Sequence, residues 1–371
     1  MILDKCFKYG DNMIKDDLIK EEIVGNVGVI YLNRPEKINA LNFQMIIKLR
    51  NILEKWEKDK RVKAILFDSK SEKGFCSGGD LKELYYDFVN NFDCDKKDGF
   101  FSKEFSLDKY IANYKKPVVS HWYGVVMGGG IGLSINSDLI ICEENVNWAM
   151  PETGLGFVPD VGVCHYISKL PKALGQYVGL CGASLESYDL IKYNLADVCV
   201  NSKDYKNIVE KLFEFSEIYN GEELIEKVKK EAEKYAVESE KSFLDKNMEK
   251  IEKHFSHSSL KEIFENLEKN LEDKFLQESF ENLKKKDPFM LATQFEKYFV
   301  CKSLTYEETL NLDLKVLNYA VDTRSMNEGI KSKIIEKGYE PKWKCKSLDD
   351  VSLEKVKKLL RVEETYRERK D

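Results

Sequence analysis

The sequence predicts an α/β protein, and three observations support this fold class. Strand-like apolar runs alternate with amphipathic helical segments over roughly the first 200 residues. The strand-like runs are apolar throughout, which is typical of a parallel sheet covered on both faces. After about residue 203, Lys and Glu dominate while Gly and Pro become rare. We therefore expect an α/β core over 1–203 and a C-terminal helical region over 204–371 that packs on it.

The first elements follow from local sequence. Residues 28–32 predict a strand that ends at the turn 33–35, and residues 62–67 predict a second strand. Asn42 is placed to cap an amphipathic helix between these strands. The apolar face of that helix is formed by Met45, Ile46, Leu49, Ile52, Leu53 and Trp56. Asp80 opens the next helix, directly after a glycine-containing turn.

The segment Pro117–Cys142 has the apolar character of a membrane span, because Asp138 is its one charged side chain. Three consecutive glycines at 128–130 disfavour a continuous helix, and the β-branched pair Val118-Val119 favours a strand. The segment therefore predicts a sequence of short buried elements. These are a strand at 118–123, a glycine turn at 124–130, a helix at 131–136 and a strand at 138–142.

The second half of the chain predicts helices. Residues 222–286 contain neither Pro nor Gly and carry many i,i+4 charge pairs. A coiled-coil arm is the alternative, but apolar a and d positions are not sustained over heptads. Asp287-Pro288-Phe289 marks another helix start, and a last charged helix follows the extended segment 339–343.

Composition and charge exclude several classes of function. With 43% hydrophobic and 12% aromatic residues, the chain has material for a large core. The net charge of −6 argues against nucleic-acid binding, which depends on clustered Lys and Arg. A small anionic ligand needs only a few local cations and is not excluded.

Cysteine usage and the N-terminus indicate the compartment only weakly. Nine cysteines without a CxxC pair predict free thiols in a reducing compartment. The His254 and His257 pair has no neighbouring cysteine, so no metal site is expected. Residues 1–22 lack both an apolar signal core and the Arg-rich character of a transit peptide.

Two glycine turns are the first candidates for chemistry. Residues 75–80 and 127–132 each place glycines before a predicted helix, where backbone N–H groups bind an anion or a developing oxyanion. Each turn alone is equally well explained by tight packing. A dinucleotide site is disfavoured, because neither turn is a GxGxxG followed by a ribose-binding acid. Two such turns in one α/β unit favour an oxyanion hole, which needs two converging donors.

A second candidate is the Gly- and Pro-punctuated loop 150–162. Glu152 and Asp160 lie eight residues apart in apolar surroundings. Desolvation there raises a carboxyl pKa and suits it to base or nucleophile chemistry. The alternative is that Glu152 caps a turn and Asp160 caps a helix.

Other nucleophiles are poorly supported. The chain has no GxSxG motif, and His121 lies on an apolar strand, which is typical of a hydrogen-bonded core histidine. His165 follows the Asp160 loop and has at most a supporting role. No base is evident beside Cys76, so a buried thiol is expected there.

In this order and spacing, the motifs resemble the 3-hydroxyisobutyryl-CoA hydrolase family of the enoyl-CoA hydratase/isomerase (crotonase) superfamily. The resemblance runs from about Val27 to Trp343. It is carried by LNRPEKINALN at 32–42, FCSGGD at 75–80, FFSKE at 100–104, MGGGIGLS at 127–134, AMPETGLGFVPDVG at 149–162, Asn327-Glu328-Gly329 and Pro341-Lys342-Trp343. It implies a crotonase-type spiral of ββα units with a C-terminal helical region.

The resemblance also implies roles for individual residues. The N–H groups of Gly79 and Gly129 match the oxyanion hole that holds the thioester carbonyl. Glu152 matches the catalytic carboxylate, Asp160 its partner, and Glu104 an acid that binds the 3-hydroxyl group. Further substrate-binding positions are Lys37, Asn39, Ala40, Ser77, Gly78, Asp80 and Gly128.

One position favours hydrolysis of a thioester over hydration of a double bond. Hydratases of the superfamily use a second glutamate where this chain has Gly132. The chain departs from the family at 163–165, where Val-Cys-His replaces small residues. The alternatives are an enoyl-CoA hydratase or isomerase, a protein that only binds acyl-CoA, and a non-catalytic structural subunit of a mitochondrial ribosome.

The resemblance implies an acyl-CoA substrate, of which CoA is a part, and no separate cofactor or metal. No membrane partner is expected, and no nucleic acid if the chain is an enzyme. Homo-oligomerisation is left open. A mitochondrial location follows from the resemblance, and a cytoplasmic one is the alternative because no transit peptide is visible.

Overall fold

A computed structural model describes residues 18–90 and 99–361. Most of the N-terminal segment 1–22, for which the sequence raises an expectation, lies outside these residues. Two of the nine cysteines, Cys6 and Cys94, also lie outside them. The chain divides into two compact units. The sheet unit takes the chain up to Trp148 together with Leu185–Lys246, and the helical unit takes Ala149–Ser184 together with the chain from Asn247 onward.

The sheet unit is built on a six-stranded sheet. In spatial order its strands are β1 (Ile19–Val24), β2 (Val27–Leu32), β3 (Ala64–Ser69), β4 (Val118–Trp122), β6 (Leu139–Glu143) and β8 (Val198–Val200). The edge strand β1 pairs antiparallel with β2, and the remaining pairs are parallel. Strands β5 (Val125–Met127) and β7 (Asn147–Ala149) form a separate two-stranded sheet.

Helices connect and cover these strands. They are α1 (Phe43–Lys58), α2 (Leu81–Asn90), α3 (Phe100–Ala112), α4 (Gly129–Gly132), α7 (Ser187–Lys192), α8 (Ser202–Ile218), α9 (Gly221–Ala232) and α10 (Phe243–Lys246). Short 3₁₀ turns occur at Pro35–Lys37 and Glu233–Tyr235. One face of the sheet, including Leu66, Val119 and Ile141, packs with the apolar side chains of α8 and α9.

The helical unit contains no strand apart from the last residue of β7 in its described part. Its helices are α5 (Cys164–Ile167), α6 (Lys172–Cys181), α11 (Met248–Phe255), α12 (Leu260–Glu268), α13 (Lys274–Lys284), α14 (Pro288–Cys301), α15 (Tyr306–Asp322), α16 (Ser325–Ile330) and α17 (Leu353–Leu360). Single turns of 3₁₀ helix occur at Glu152–Leu155 and Leu348–Asp350, and Lys331–Ile335 is a π-helical turn.

Several local predictions are confirmed. The Asn42 side chain accepts a hydrogen bond from the Met45 N–H at 3.0 Å and so caps α1. Asp80 accepts from the Glu83 N–H at 3.1 Å at the start of α2. Asp287 caps α14 by accepting from the Phe289 N–H, with a proline at the first helical position.

The segment 117–142 contains the expected buried strands β4 and β6. The predicted glycine turn at 124–130 is wrong in part, because Val125–Met127 within it forms strand β5. The helix in this segment begins at Gly129 and ends at Gly132, earlier than the predicted range of 131–136. Among the described residues, no helix combines the length and apolar character that a bilayer span requires.

The division of the chain differs from the expected boundary at residue 203. Helices α8 and α9 belong to the sheet unit, because Ile208, Leu212, Leu224 and Val228 are buried in the same core as the strands. Residues 149–184 belong instead with the later helices. Lys- and Glu-rich composition therefore marks helices here, but it does not mark the unit to which they belong.

Candidate active site

The two glycine turns lie side by side in the sheet unit. The Cys76 N–H donates to the Val125 carbonyl at 3.0 Å, and the Met127 N–H donates to the Cys76 carbonyl at 2.9 Å. This pairing brings the Gly78 backbone next to the start of α4, since a Cβ on Gly78 would lie 3.4 Å from the Gly129 nitrogen. The predicted convergence of the two turns is present in the structure.

Both turns carry backbone donors that the protein does not use. Among the described residues, neither the Gly79 N–H nor the Gly129 N–H donates a hydrogen bond to a protein acceptor. Two unused N–H groups on adjacent turns are what an oxyanion hole requires.

Gly129 has a steric reason to be glycine. A Cβ at this position would lie 2.1 Å from Oε1 of Glu104, which extends from α3 and is 3% exposed. The structure therefore places the Glu104 carboxylate directly beside Gly129.

The turn at 34–41 is held against the first glycine turn by buried polar side chains. Asn39 accepts from the Arg34 N–H at 2.8 Å and donates to the Ser69 hydroxyl and the Phe75 carbonyl. The Leu41 N–H donates to the Gly78 carbonyl at 2.7 Å. Asn39 is fully buried, and its own N–H and carbonyl bond the Arg34 carbonyl and the Cys76 thiol, so this residue supports the turn.

Asp80 has a similar supporting position. Its carboxylate lies 2.6 Å from the Lys37 ammonium and 2.9 Å from the Arg34 guanidinium. Burial alone raises the pKa of Asp80, but the hydrogen bond from Lys37 and the Arg34 charge lower it overall. Lys37 keeps 43% of its side chain exposed beside this pair.

The remaining predicted substrate-binding positions of the sheet unit lie in the same turns. The Ser77 hydroxyl donates to the Lys37 carbonyl at 3.1 Å, and the Ala40 carbonyl accepts from Arg34 at 2.8 Å. Gly128 adjoins Gly129 and precedes α4. These contacts bring together 37–40 and 77–80, which carry the predicted positions.

His121 and Cys76 are core residues, as predicted. His121 lies between Asp68 at 3.0 Å and Glu143 at 3.1 Å and stacks on Tyr205. Burial alone lowers the pKa of His121, but its hydrogen bonds with the two carboxylates raise it overall. Burial raises the pKa of the Cys76 thiol to about 12, which makes it a poor nucleophile.

In the helical unit, Glu152 and Asp160 are both buried, at 4% and 5% exposure. Glu152 begins the 3₁₀ turn, and among the described residues its Oε2 atom has no hydrogen-bond partner. Burial, followed by the charge of Asp160, raises the pKa of Glu152 well above its ordinary value. Burial and the charge of Asp313 raise the pKa of Asp160 to about 8.

Two buried charges near Asp160 were not predicted from the sequence. Lys297 on α14 and Asp313 on α15 are both fully buried and form an ion pair. Each contacts the backbone of the loop that carries Asp160. The sequence did not distinguish these two residues, because Glu296 adjoins Lys297 in α14 and Lys315 lies two residues after Asp313 in α15. His165, by contrast, forms hydrogen bonds with the Leu304 carbonyl and the Lys169 ammonium. Among the described residues it forms none with Glu152 or Asp160.

Within the described ranges, no group of three or more His, Cys, Asp or Glu side chains is placed to hold a metal ion. The seven described cysteines are free thiols.

Comparison with known proteins assigns the fold a family. A family model described as enoyl-CoA hydratase/isomerase matches residues 27–360. The chain belongs to this family. Its fold is the crotonase-type α/β fold, with a C-terminal helical region.

Three curated relatives illustrate the similarity. The chain is 38% identical to 3-hydroxyisobutyryl-CoA hydrolase 1 of Arabidopsis thaliana over 179 residues, which cover 48% of this chain and 46% of that protein. It is 30% identical to the mitochondrial 3-hydroxyisobutyryl-CoA hydrolase of Rattus norvegicus over 328 residues, 88% of this chain and 84% of the relative. It is also 35% identical to small ribosomal subunit protein mS47 of Neurospora crassa, over 52% of this chain and 38% of that protein.

The first curated relatives are matched over about half their length. Two solved structures match over nearly the whole chain. A carnitinyl-CoA dehydratase from Mycobacterium thermoresistibile has a TM-score of 0.81 at 26% identity, covering 93% of this chain and 96% of its own. An enoyl-CoA hydratase from Rhodobacter sphaeroides has the same TM-score at 28% identity, covering 94% and 98%.

Proposed function

We propose that this chain hydrolyses the thioester of a short 3-hydroxyacyl-CoA, with 3-hydroxyisobutyryl-CoA as its substrate. The observation that carries the proposal is the buried Glu152, whose Oε2 atom has no hydrogen-bond partner among the described residues and whose pKa is raised. A carboxylate in this state is suited to act as a base or nucleophile near neutral pH. Two of the relatives described above are named as hydrolases of this compound.

In this proposal the Gly79 and Gly129 N–H groups bind the thioester carbonyl oxygen and stabilise the negative charge that develops on it. The backbone of segments 37–40 and 77–80, together with Gly128, contacts the CoA portion. Lys37, with its exposed ammonium, supplies a cation beside that path. Glu104 accepts a hydrogen bond from the 3-hydroxyl group.

Glu152 then acts in one of two ways. As a nucleophile it attacks the carbonyl carbon, CoA leaves as its thiolate, and water hydrolyses the resulting anhydride. As a general base it takes a proton from the water that attacks the same carbon. Asp160, with a pKa of about 8, keeps its proton near neutral pH and donates it to the leaving thiolate.

Hydrolysis accounts for the residues better than hydration does. Adding water across a double bond uses two carboxylates in the hydratases of this superfamily, and the second position here is Gly132, inside α4. We further propose a role in valine breakdown and a mitochondrial location, in keeping with the name of the rat relative.

A non-catalytic role is the second candidate, because one relative is a ribosomal subunit protein. Such a role has no use for Glu104, Glu152 and Asp160, all of which this chain retains. It also has no use for two unused N–H groups on adjacent glycine turns. These residues favour a catalytic role over a non-catalytic one.

The test compares cleavage of 3-hydroxyisobutyryl-CoA with hydration of crotonyl-CoA by the folded protein. Thioester absorbance is the readout, because free cysteines interfere with a thiol-reactive dye. We expect cleavage of the first compound and little hydration of the second. Folded protein that turns over no short acyl-CoA would favour the structural subunit, and preferential hydration would favour a hydratase.

A further inference from the structure

The Asp160 loop is fastened at both ends by one buried ion pair. Lys297 and Asp313 have no exposed side-chain surface and pair with each other between α14 and α15. The Lys297 ammonium also donates to the Pro159 carbonyl at 2.5 Å. The Asp313 carboxylate accepts from the Gly162 N–H at 2.8 Å. The pair therefore holds the residue before Asp160 and the second residue after it.

The backbone between these two contacts is in a conformation that needs support. Val161 has a φ of 48°, which is disfavoured for a β-branched residue. Gly162 has a φ of 76°, and a Cβ there would lie 2.2 Å from the Tyr306 ring. Strained backbone of this kind persists where the surroundings determine it, and it is common at active sites.

Stability alone explains the pair poorly. Removing two charges from water costs about as much as their attraction returns, and apolar replacements of buried pairs are often neutral or stabilising. The hydrogen bonds to the Asp160 loop are the contacts of this pair that an apolar replacement cannot reproduce.

We propose that Lys297 and Asp313 are positioning residues that hold the turn at 159–162, and with it the Asp160 carboxylate, in the geometry the thioester reaction uses. This inference rests on the proposed function for its link to catalysis. The holding of the turn itself is a structural statement that can be tested without a substrate.

The charges of the pair give this role a distinct signature. After burial, the charge of Asp313 raises the pKa of Asp160, and the charge of Lys297 lowers it. Lys297 also lowers the pKa of Glu152. The other titratable groups that interact with Asp160 are Glu152 and Cys164. Removing Lys297 and removing the charge of Asp313 should therefore shift the pH profile in opposite directions.

The first experiment measures amide hydrogen exchange of the full chain across 157–166. The variants are the double replacement Lys297→Met with Asp313→Leu, and Tyr298→Phe as a matched control. Tyr298 is a buried residue of the same helix α14 whose hydroxyl bonds the Leu170 carbonyl, outside the Asp160 loop. We expect exchange at Gly162 to rise about tenfold or more in the double variant and to stay unchanged in the control. Unchanged exchange at Gly162 in a folded double variant would overturn the proposal.

The second experiment measures kcat, KM and the pH profile of kcat/KM with 3-hydroxyisobutyryl-CoA. We expect kcat of the double variant to fall about 10²-fold with little change in KM, because misplacing a reacting group by about 1 Å has an effect of this size. Lys297→Met should raise the pKa of both Glu152 and Asp160, and so move the acid limb and the alkaline limb to higher pH. Asp313→Asn, which keeps an acceptor for Gly162, should lower the pKa of Asp160 and so move the alkaline limb to lower pH.

The two experiments separate the inference from the proposed function. If the wild-type protein cleaves no thioester, the proposed function fails, and hydrogen exchange still decides whether the pair holds the turn. If the wild type is active and the double variant exchanges faster but keeps its kcat, the positioning role is overturned. If the double variant does not fold, Asp313→Asn and its shift of the alkaline limb decide the role.

Discussion

Asp68 and Glu143 of the sheet unit have different surroundings from Glu152 and Asp160 of the helical unit. Asp68 and Glu143 in the sheet unit share His121, which lies within 3.1 Å of both. Glu152 in the helical unit has an Oε2 atom without a partner in the described structure, and Asp160 has a pKa of about 8. A buried carboxylate that is fully paired serves the fold, whereas one that is left incompletely paired is available for chemistry.

The glycine turns sharpen the comparison, since they supply the donors that would polarise the substrate. Gly129→Ala places a Cβ 2.1 Å from Oε1 of Glu104, so the Gly129 N–H or the Glu104 side chain must move. We expect kcat for thioester cleavage to fall about 10²- to 10³-fold, as for the loss of one oxyanion donor. Steady-state kinetics on the purified variant measure this.

Two alanine controls accompany that variant. Gly154→Ala meets no atom within 4 Å, and Gly79→Ala meets the Phe100 ring at 3.4 Å and Leu84 at 3.8 Å while keeping its N–H. Both should retain most of the wild-type kcat. Normal turnover by Gly129→Ala would remove Gly129 from the oxyanion hole.

Substitutions in the cluster of Asp68, His121 and Glu143 should change the stability of the protein and not its reaction rate. His121→Gln removes the cation between Asp68 and Glu143 and should lower the free energy of unfolding by about 3 kcal/mol, with kcat per folded molecule unchanged. Urea unfolding and kinetics on the same preparation test both halves of this prediction. A large loss of kcat at unchanged stability would place His121 in the reaction.

The effect of His121 should depend on pH in a defined direction. Its pKa is raised in the folded state, so its contribution is complete below the unfolded pKa of about 6.5 and is lost as pH rises through the folded value. The difference in melting temperature between wild type and His121→Gln should therefore be largest below about pH 6.5 and shrink as pH rises through the folded pKa of His121. A difference that grows with pH would contradict the raised pKa.

Replacing Asp160 should change stability less than replacing His121 does, in addition to its effect on activity. Its pKa rises from 3.8 to about 8 on folding, so the unfolded chain binds fewer protons between these values and stability falls as pH increases. The Asp160→Asn variant has no carboxyl group at this position, so it does not lose stability in this way as pH increases. Its stability relative to wild type should rise by about 1 kcal/mol per pH unit between about pH 5 and pH 7. A constant difference across that range would show that Asp160 is already ionised.

Local features were predictable from the sequence. The Asn42 cap, the Asp287-Pro288 helix start and the buried strands around the glycine turns depend on a few neighbouring residues, so pattern and propensity determine them. The pairing of the two glycine turns also followed, because parallel strands bring such turns to one edge of a sheet.

Long-range features were not predictable. Lys297 and Asp313 contact a loop more than a hundred residues earlier in the chain, and periodicity shows that a helix face is buried without showing what it buries. The same limit of periodicity explains why the boundary between the two units differs from the one expected at residue 203. The apolar stripes of α8 and α9 fit either unit, and only the structure shows them on the sheet.

The central claim is that the incompletely paired carboxylate reacts and the paired one does not. The most direct test is kcat for 3-hydroxyisobutyryl-CoA cleavage in two matched variants, Glu152→Gln and Glu143→Gln. We predict that the first loses about 10³-fold or more, because a general base or nucleophile is removed. We predict that the second keeps its kcat while unfolding at lower urea. Equal activity of Glu152→Gln and wild type would contradict the account.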